Sequence, residues 1–251
     1  MNSHSSPPRC FSLPQSSSAS AIVVLAFLLG LAFAPDWQWP YEPLRVRAGI
    51  SEAAAWVVQG TVRQLVVILV IVSTVLFWER RPISSIGVRR LRTPDLALAV
   101  VAYVLMILSA RLVSEILNFS PLRQILPTLN PAAQAYLELP LGFRLTGAAV
   151  NSIYEETWRA FAIERVESIS GSLTAAATFS LIASVSTHVP FWGLRGALVI
   201  APGQLVLIFL YLGRRSLPTC LITHFIADAY PTAIRPALSS HAIAMLSRFG
   251  L

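Results

Sequence analysis

Charged residues are scarce in this chain. Only 12% of its 251 residues are Asp, Glu, Lys or Arg, whereas 55% are hydrophobic and the mean hydropathy is +0.65. Because a soluble domain carries about 25% charged residues, this composition excludes an ordinary soluble domain and indicates an integral membrane protein. A membrane span needs about 20 residues, so the chain has room for at most about seven or eight of them.

Lysine is absent, and the net charge of +7 therefore comes entirely from arginine. Many of the arginines lie in loops between apolar segments, which favours contact with lipid headgroups over binding of nucleic acid. There are only two cysteines, Cys10 in the amino-terminal tail and Cys220 in a late apolar segment. Neither a disulfide framework nor a metal-thiolate site follows from two such residues.

The apolar runs predict an all-α fold, a polytopic transmembrane helical bundle of about seven spans. The predicted spans are residues 21–34, 62–78, 96–113, 141–163, 172–189, 194–212 and 217–233. The first span has an alternative as a cleaved signal peptide, since residues 32–34 (Ala-Phe-Ala) imitate a cleavage site. We favour a retained helix because several spans follow.

The segments around these spans divide the chain into four regions. They are a disordered tail rich in Ser and Pro (1–20), amino-terminal transmembrane helices (21–139), a membrane core (140–235) and a carboxyl-terminal tail with a short surface helix (236–251). Residues 51–58 predict a further short helix along the membrane surface.

Proline and arginine mark the breaks between spans. Residues 114–140 contain four prolines and predict a broken connection, and Pro190 is predicted to end the fifth span. The loop 79–93 and the turn at Arg214 and Arg215 carry clustered arginines, so both are predicted to face the cytoplasm.

Several ionisable side chains lie within the later apolar segments, although a charge at mid-bilayer costs about 2.5–3.5 kcal/mol. Six of them are candidates for a site: Glu155, Glu156 and Arg159 in the fourth span, His188 in the fifth, and His224 and Asp228 in the seventh. Together they indicate a polar site that acts on water or protons. Straight alternating spans would put His188 and His224 near opposite faces, so tilted or broken helices are needed to bring both to Glu155.

The spacing of these residues predicts several pairs. Glu155 lies four residues before Arg159 and Glu156 lies three before it, so either glutamate can pair with the arginine. The glutamate that is not held remains free as a general base. His224 and Asp228 share a helix face, which lets the carboxylate fix the tautomer of the imidazole, and the Ser184 hydroxyl is placed to bond His188. The alternative is that these groups are buried charge pairs that only hold the bundle together.

Three stretches resemble the motifs of the CPBP family, the CAAX proteases and bacteriocin-processing enzymes also called the Abi family. Residues 154–161 (YEETWRAF) resemble the first motif, two glutamates and an arginine. Residues 184–188 (SVSTH) resemble the second, usually a phenylalanine followed four residues later by histidine. Residues 224–228 (HFIAD) match the third, a histidine followed four residues later by Asn or Asp. The resemblance covers about residues 140–233.

The chain departs from this pattern at three positions. Two residues rather than three separate Glu156 from Arg159, Ser184 stands where phenylalanine is usual, and Ala160 replaces the glycine that follows the arginine. The shortened spacing leaves open which glutamate Arg159 holds. If the arginine sets the register, Glu155 becomes the second glutamate and Tyr154 replaces the first. We prefer the intact pair of glutamates.

The resemblance implies an intramembrane endopeptidase of the CAAX prenyl endopeptidase type. In such a mechanism Glu155 takes a proton from a water held between it and His188, and the hydroxide attacks a peptide carbonyl. His224 and Asp228 then stabilise the oxyanion, and Glu156 and Arg159 orient Glu155. Two histidines and nearby carboxylates also suit a divalent metal such as zinc, although the glutamate mechanism requires none.

The implied partners are the lipid bilayer and a membrane-anchored peptide or protein substrate, with no nucleic acid. The implied location is the inner membrane of a bacterium. Two alternatives remain open at this point. One is a degenerate, non-catalytic member that acts as a scaffold or immunity protein, and the other is a proton-coupled transporter, since membrane carboxylates and histidines also relay protons.

Overall fold

The computed structural model describes residues 15–33, 46–119 and 139–234, and the all-α prediction is confirmed for these residues. The long helices are α1 (Gln15–Phe33), α2 (Glu52–Ser73), α3 (Thr93–Phe119), α4 (Leu141–Ser170), α5 (Leu173–Arg214) and α6 (Leu217–Ala229). Shorter pieces are a π-helical turn (Thr74–Trp78), a 3-10 helix (Ile83–Ile86) and a second π-helical turn (Tyr230–Ile234). The predicted helix in the tail 236–251 lies outside the described residues.

Helix α2 begins earlier than expected. The Ser51 side chain accepts a hydrogen bond from the Ala54 amide at 3.2 Å, which caps the helix amino terminus. Residues 51–58 are therefore the start of this long helix, and the prediction of a separate surface helix was wrong. Similarly, α1 begins at Gln15, inside the stretch 1–20 that was predicted to be a disordered tail.

The connection predicted at residues 114–140 begins later than expected, because α3 continues to Phe119. Residues 120–138, which hold most of its prolines, lie outside the described residues. Helix α4 follows Pro140 and ends at Gly171, whose φ of +67° closes the last turn in the left-handed region. Ser172 then caps α5 by accepting from the Ala175 amide at 3.2 Å.

Helix α5 consists of two parts that meet at Gly193 rather than at Pro190. The helix runs through Pro190, and the break comes at Gly193 with φ 66° and ψ 173°, a conformation that glycine adopts without strain. Arg195 donates to Asn118 at the end of α3, while Arg214 pairs at 2.7 Å with Asp95 at the beginning of α3. The second part of α5 therefore runs antiparallel to α3.

Helix α4 occupies the centre of the bundle, in contact with α1, α2, α5 and α6. Its residues Ala160, Phe161, Ala162 and Ile163 are completely buried. Any charged residue on the middle of α4 must therefore find partners on the surrounding helices, because water does not reach most of its faces.

Three helical segments among the described residues are long and apolar enough to cross a membrane: Val57–Trp78, Thr93–Phe119 and Trp192–Arg214. The count of about seven spans is not shown. Helix α4 carries the candidate site and is less apolar as a result, and α1 contributes a shorter apolar stretch, Ala21–Gly30. Helix α6 is only 13 residues long before it passes into a π turn.

The two arginine-rich loops lie at the same end of the bundle, which we call the basic end (residues 79–92, 164–167 and 214–217). The Leu217 amide donates to the Gly87 carbonyl at 2.9 Å, and Arg215 pairs with Glu164 at 2.7 Å and with Glu167 at 2.6 Å. Burial lowers the pKa of Arg215, but these two carboxylates outweigh it and raise the pKa above its ordinary value. This loop arrangement agrees with the prediction that both loops face one side.

Candidate active site

Glu155 and His188 meet because α4 and the first part of α5 form a helical hairpin around Gly171. Glu155 precedes this turn by about 16 residues, and His188 follows it by about as many. At about 1.5 Å per residue, both lie about 24 Å from the turn and so at the same depth.

His224 reaches the same depth from the basic end. Helix α6 starts there at Leu217, and His224 lies about two turns into it. Glu155 lies about two and a half turns from Glu164, which also belongs to the basic end. The hairpin of α4 and α5 therefore extends past the start of α6. Because of this extension, both histidines lie at the depth of Glu155. Straight spans of equal length would place the two histidines at different depths.

Glu155 stands between the two imidazoles. Its Oε1 atom lies 3.5 Å from His188 Nε2, and its Oε2 atom lies 3.8 Å from His224 Nε2. Oε1 also accepts a hydrogen bond from the Asn151 amide at 3.1 Å. Distances of 3.5 and 3.8 Å are longer than ordinary hydrogen bonds, so both imidazoles face the carboxylate without a direct hydrogen bond to it.

Arg159 pairs with Glu156, which answers the question of which glutamate the arginine holds. The guanidinium donates to Glu156 Oε1 through one nitrogen and to Gln204 Oε1 on α5 through another. The Glu156 and Arg159 side chains are each only 1% exposed. A buried ion pair of this kind is sustained only when further hydrogen bonds satisfy both partners, and Gln204 supplies one of them.

Glu156 also binds His224, with Oε1 at 2.6 Å from Nδ1. Since a carboxylate paired with arginine can only accept, Nδ1 carries a proton and Nε2 is turned toward Glu155. The sequence had assigned the control of this tautomer to Asp228. Asp228 Oδ2 instead lies 3.6 Å from Nε2, and the structure joins Glu156 and Arg159 to His224 rather than to Glu155 as predicted.

His188 is oriented by its own helix. Its Nδ1 atom lies 2.6 Å from the Ser184 backbone carbonyl and donates a hydrogen bond to it, so Nε2 is directed toward Glu155. The predicted partner was the Ser184 hydroxyl. The residue is the same, but the contact needs only a main-chain oxygen, which explains how serine is tolerated at this motif position.

The site is most accessible from the side of Asp228. The Asp228 side chain is 31% exposed, those of His188 and Glu155 are 17% and 13% exposed, and that of His224 is 5% exposed. Exposure thus falls from Asp228 to Glu155 and then to the Glu156–Arg159 pair. A molecule that reaches the site from this side meets Asp228, His188 and Glu155 before the buried ion pair.

Three amide side chains also belong to the site, and the sequence pattern did not point to them: Gln64, Asn151 and Gln204. Asn151 donates to Glu155 and, at 2.9 Å, to Asp228 Oδ2, while Gln64 on α2 donates to Asn151 Oδ1 at 2.7 Å. Each is a polar side chain inside an apolar helix, and that is the signal by which it could have been found.

The described residues contain no group of three or more His, Cys, Asp or Glu side chains arranged to hold a metal ion. In the candidate site the Nε2 atoms of both histidines face the Glu155 carboxylate, and Asp228 Oδ2 lies 3.6 Å from His224 Nε2.

The comparison with known families agrees with the motifs. Residues 138–230 match the family described as type II CAAX prenyl endopeptidase Rce1-like. Residues 138–230 are an Rce1-like domain. The family resemblance inferred from the sequence is thereby confirmed over this range.

The Rce1-like domain contains α4, α5 and α6 and leaves α1, α2 and α3 outside. It includes all six ionisable residues of the candidate site, but not Gln64. No curated protein and no solved structure matches the chain.

Proposed function

We propose that this chain is an intramembrane endopeptidase in which Glu155 activates a water molecule. Membership of residues 138–230 in a family of CAAX-type intramembrane proteases supports this assignment. The observation that carries it is the position of the Glu155 carboxylate between two imidazole Nε2 atoms, at 3.5 and 3.8 Å.

In the proposed reaction, a water molecule binds beside Glu155 and His188. Glu155 takes its proton as the water oxygen attacks the carbonyl carbon of the scissile peptide bond. An N–H at His224 Nε2 stabilises the resulting oxyanion, and the carboxylates of Glu156 and Asp228 compensate the charge of a protonated ring. Glu155 then returns the proton to the leaving amine as the carbon–nitrogen bond breaks.

The proposed substrate is a membrane-anchored peptide or protein, and the proposed location is the inner membrane of a bacterium. We further propose that α1, α4, the first part of α5 and α6 cross or enter the membrane beside the three apolar spans. The exposed side of the site, at Asp228, is then where an anchored peptide enters.

Replacing Glu155 by glutamine tests the proposed base. Glu155→Gln keeps the shape of the side chain but cannot accept a proton, so we expect cleavage to fall by roughly 10²-fold or more. The measurement is hydrolysis of two lipid-anchored peptides by the purified protein in liposomes, one with a prenylated CAAX end and one with another anchor.

Glu164→Gln is the matched control, because it makes the same change on the same helix at the basic end. It should lower cleavage far less than Glu155→Gln does, because Glu164 lies about two and a half turns from Glu155 and Arg215 keeps its pair with Glu167. Near-normal cleavage by Glu155→Gln would end the assignment of the base. A folded protein that cleaves neither peptide would favour the non-catalytic scaffold.

A further inference from the structure

Asn151 occupies a position between the two carboxylates that face the candidate site. Its single amide nitrogen lies 3.1 Å from Glu155 Oε1 and 2.9 Å from Asp228 Oδ2. Its oxygen accepts from Gln64 Nε2 at 2.7 Å. Both amide hydrogens of Asn151 are thus directed at carboxylates, and its oxygen is held from α2.

The chemistry of these partners fixes the orientation of the amide. Ionised carboxylates only accept hydrogen bonds, so the NH2 group of Asn151 must face Glu155 and Asp228. The oxygen then points to Gln64, which can present a donor. Gln64 therefore holds Asn151 in the orientation that the two carboxylates need.

Without this donor, Glu155 and Asp228 would be two like charges in one site of low polarity. Like charges in such a site repel strongly, and each side chain turns away or loses its charge. The Asn151 amide provides each carboxylate with a hydrogen bond and fixes the distance between them. It thereby holds Glu155 facing the two histidines.

A buried ion pair sets the register that brings Gln64 to Asn151. Arg165 on α4 binds both carboxylate oxygens of Glu79, which directly follows the π turn after α2, and both side chains are almost fully buried. Gln64 precedes Glu79 by about 15 residues and Asn151 precedes Arg165 by about 14. The two helices therefore run parallel, and the π turn at Thr74–Trp78, closed by Glu79 N to Thr74 O at 2.8 Å, takes up the extra residue.

We propose that Asn151, held by Gln64, is a positioning residue that bridges Glu155 and Asp228 and sets the orientation of the general base. The inference rests on the proposed function, because it assigns Glu155 as that base. It also means that α2, which lies outside the Rce1-like domain, completes the site.

The bridge is tested with Asn151→Leu, Asp228→Asn and the variant that carries both. Asn151→Leu should lower kcat by roughly tenfold to 100-fold with little change in KM, as expected when hydrogen bonds to charged groups are lost. Asp228→Asn removes one of the two repelling charges, so it should cost less in the Asn151→Leu background than in the unmodified chain. A side chain that only fills space would give independent, multiplicative effects on kcat.

The same four proteins are compared by thermal unfolding in detergent, which needs no cleavage. Non-additive shifts in Tm support the bridge whether or not a peptide is hydrolysed. Additive shifts together with independent effects on kcat would overturn it. If the unmodified chain cleaves no peptide, the proposed function fails, and the Tm values alone decide whether the bridge exists.

Gln64→Leu tests the contribution of α2, and Gln59→Leu is its matched control on the same helix. Gln64→Leu should lower kcat several-fold and should have no further effect in the Asn151→Leu background, because Gln64 acts through Asn151. Any effect of Gln59→Leu on kcat should be the same with and without Asn151→Leu, because Gln59 lies about 7 Å further along α2 from Gln64. An undiminished effect of Gln64→Leu after Asn151 is replaced would refute the role of α2.

Discussion

Arg159, Glu156 and His224 form a connected series of buried polar contacts beside the candidate base. Arg159 lies three residues after Glu156 on α4, and this separation lets the two side chains meet on one face. The shortened spacing of the first motif therefore still yields an ion pair. The pair then fixes His224 through Nδ1, so the departure from the family pattern leaves the support of that histidine in place.

Removing Arg159 should destabilise the protein more than removing both members of the pair. Arg159→Ala leaves the Glu156 carboxylate buried without its cation, which costs about 3–5 kcal/mol when a buried pair is broken. His224 still bonds to Glu156, so we expect the lower part of that range. Adding Glu156→Gln removes the uncompensated charge and should restore part of the stability, as measured by unfolding in detergent.

Gln204→Leu provides the comparison for this prediction, because it removes one hydrogen bond from Arg159 and leaves the ion pair intact. The expected cost is about 1.5–3 kcal/mol, typical of a hydrogen bond to a charged group. Equal stability of Arg159→Ala and the unmodified chain would show that the pair contributes nothing, and the motif would then be a relic.

The sequence pointed to the ionisable residues of the site but not to the amides. Paired glutamates, arginine and histidine are so costly in an apolar segment that their positions alone identify them. A single Gln or Asn per helix carries no charge and resembles an ordinary interhelical hydrogen bond. The roles of Gln64, Asn151 and Gln204 depend on contacts with residues on neighbouring helices. The sequence did not predict which helices pack against each other.

Gly87 allows two segments of the basic end to pack closely against each other. At Gly87 the backbone has φ +78°, and its carbonyl accepts from the Leu217 amide. A Cβ atom there would lie 3.0 Å from the Tyr211 ring, 3.1 Å from the Arg215 carbonyl oxygen and 3.1 Å from the Leu217 nitrogen. The loop after α2 therefore approaches the start of α6 as closely as a residue without a side chain allows.

Gly87→Ala should cost more stability than the same change at Gly171. Both glycines have positive φ, so each alanine costs about 1–2 kcal/mol for the left-handed backbone. A methyl group added at Gly171 would meet no neighbouring atom within 4 Å, whereas one added at Gly87 would meet three close ones. Overpacking should add about 1–3 kcal/mol at Gly87 only. Thermal unfolding of the two variants in detergent measures the difference, and similar losses at both positions would contradict this close packing.

Helix boundaries could be predicted only where local chemistry decides them. Pro140 before α4 and Gly171 after it mark real ends, because each acts on its own backbone. Pro190 did not end α5. A proline removes one backbone hydrogen bond of the helix, and this loss is tolerated near the end of a helical part. The break at Gly193 depends instead on the chain turning back along α3, which is a tertiary requirement.

At the scale of the whole molecule, the main difference between the structure and the sequence prediction is that the helices are not membrane spans of equal length. A hydropathy reading treats each apolar run as one crossing, but α4 and the first part of α5 extend past the basic end where α6 begins. This unequal length places Glu155, His188 and His224 at one depth. It was not visible in the sequence, because hydropathy reports how apolar a segment is and not how far its helix continues into water.

The arrangement of the helices predicts which loops share a side of the membrane. Ser84 and Gly213 are exposed at the basic end, whereas Gly142 is exposed near the start of α4. About 22 residues separate Gly142 from Glu164 at the basic end, a helical rise of about 33 Å. This exceeds a hydrocarbon core of about 30 Å, so α4 is long enough to place Gly142 on the opposite side.

Cysteine labelling in oriented membrane vesicles tests this arrangement. Each of Ser84→Cys, Gly213→Cys and Gly142→Cys is introduced separately into a chain that also carries Cys10→Ser and Cys220→Ala. A membrane-impermeant maleimide should label the first two from the cytoplasmic side, where clustered arginines are retained, and the third from the other side only. Labelling of Ser84→Cys and Gly213→Cys from opposite sides would contradict the contact between Gly87 and Leu217. Labelling of all three from one side would mean that α4 does not cross the bilayer. The carboxylates of the candidate site would then lie outside the membrane, which would contradict the proposed intramembrane protease.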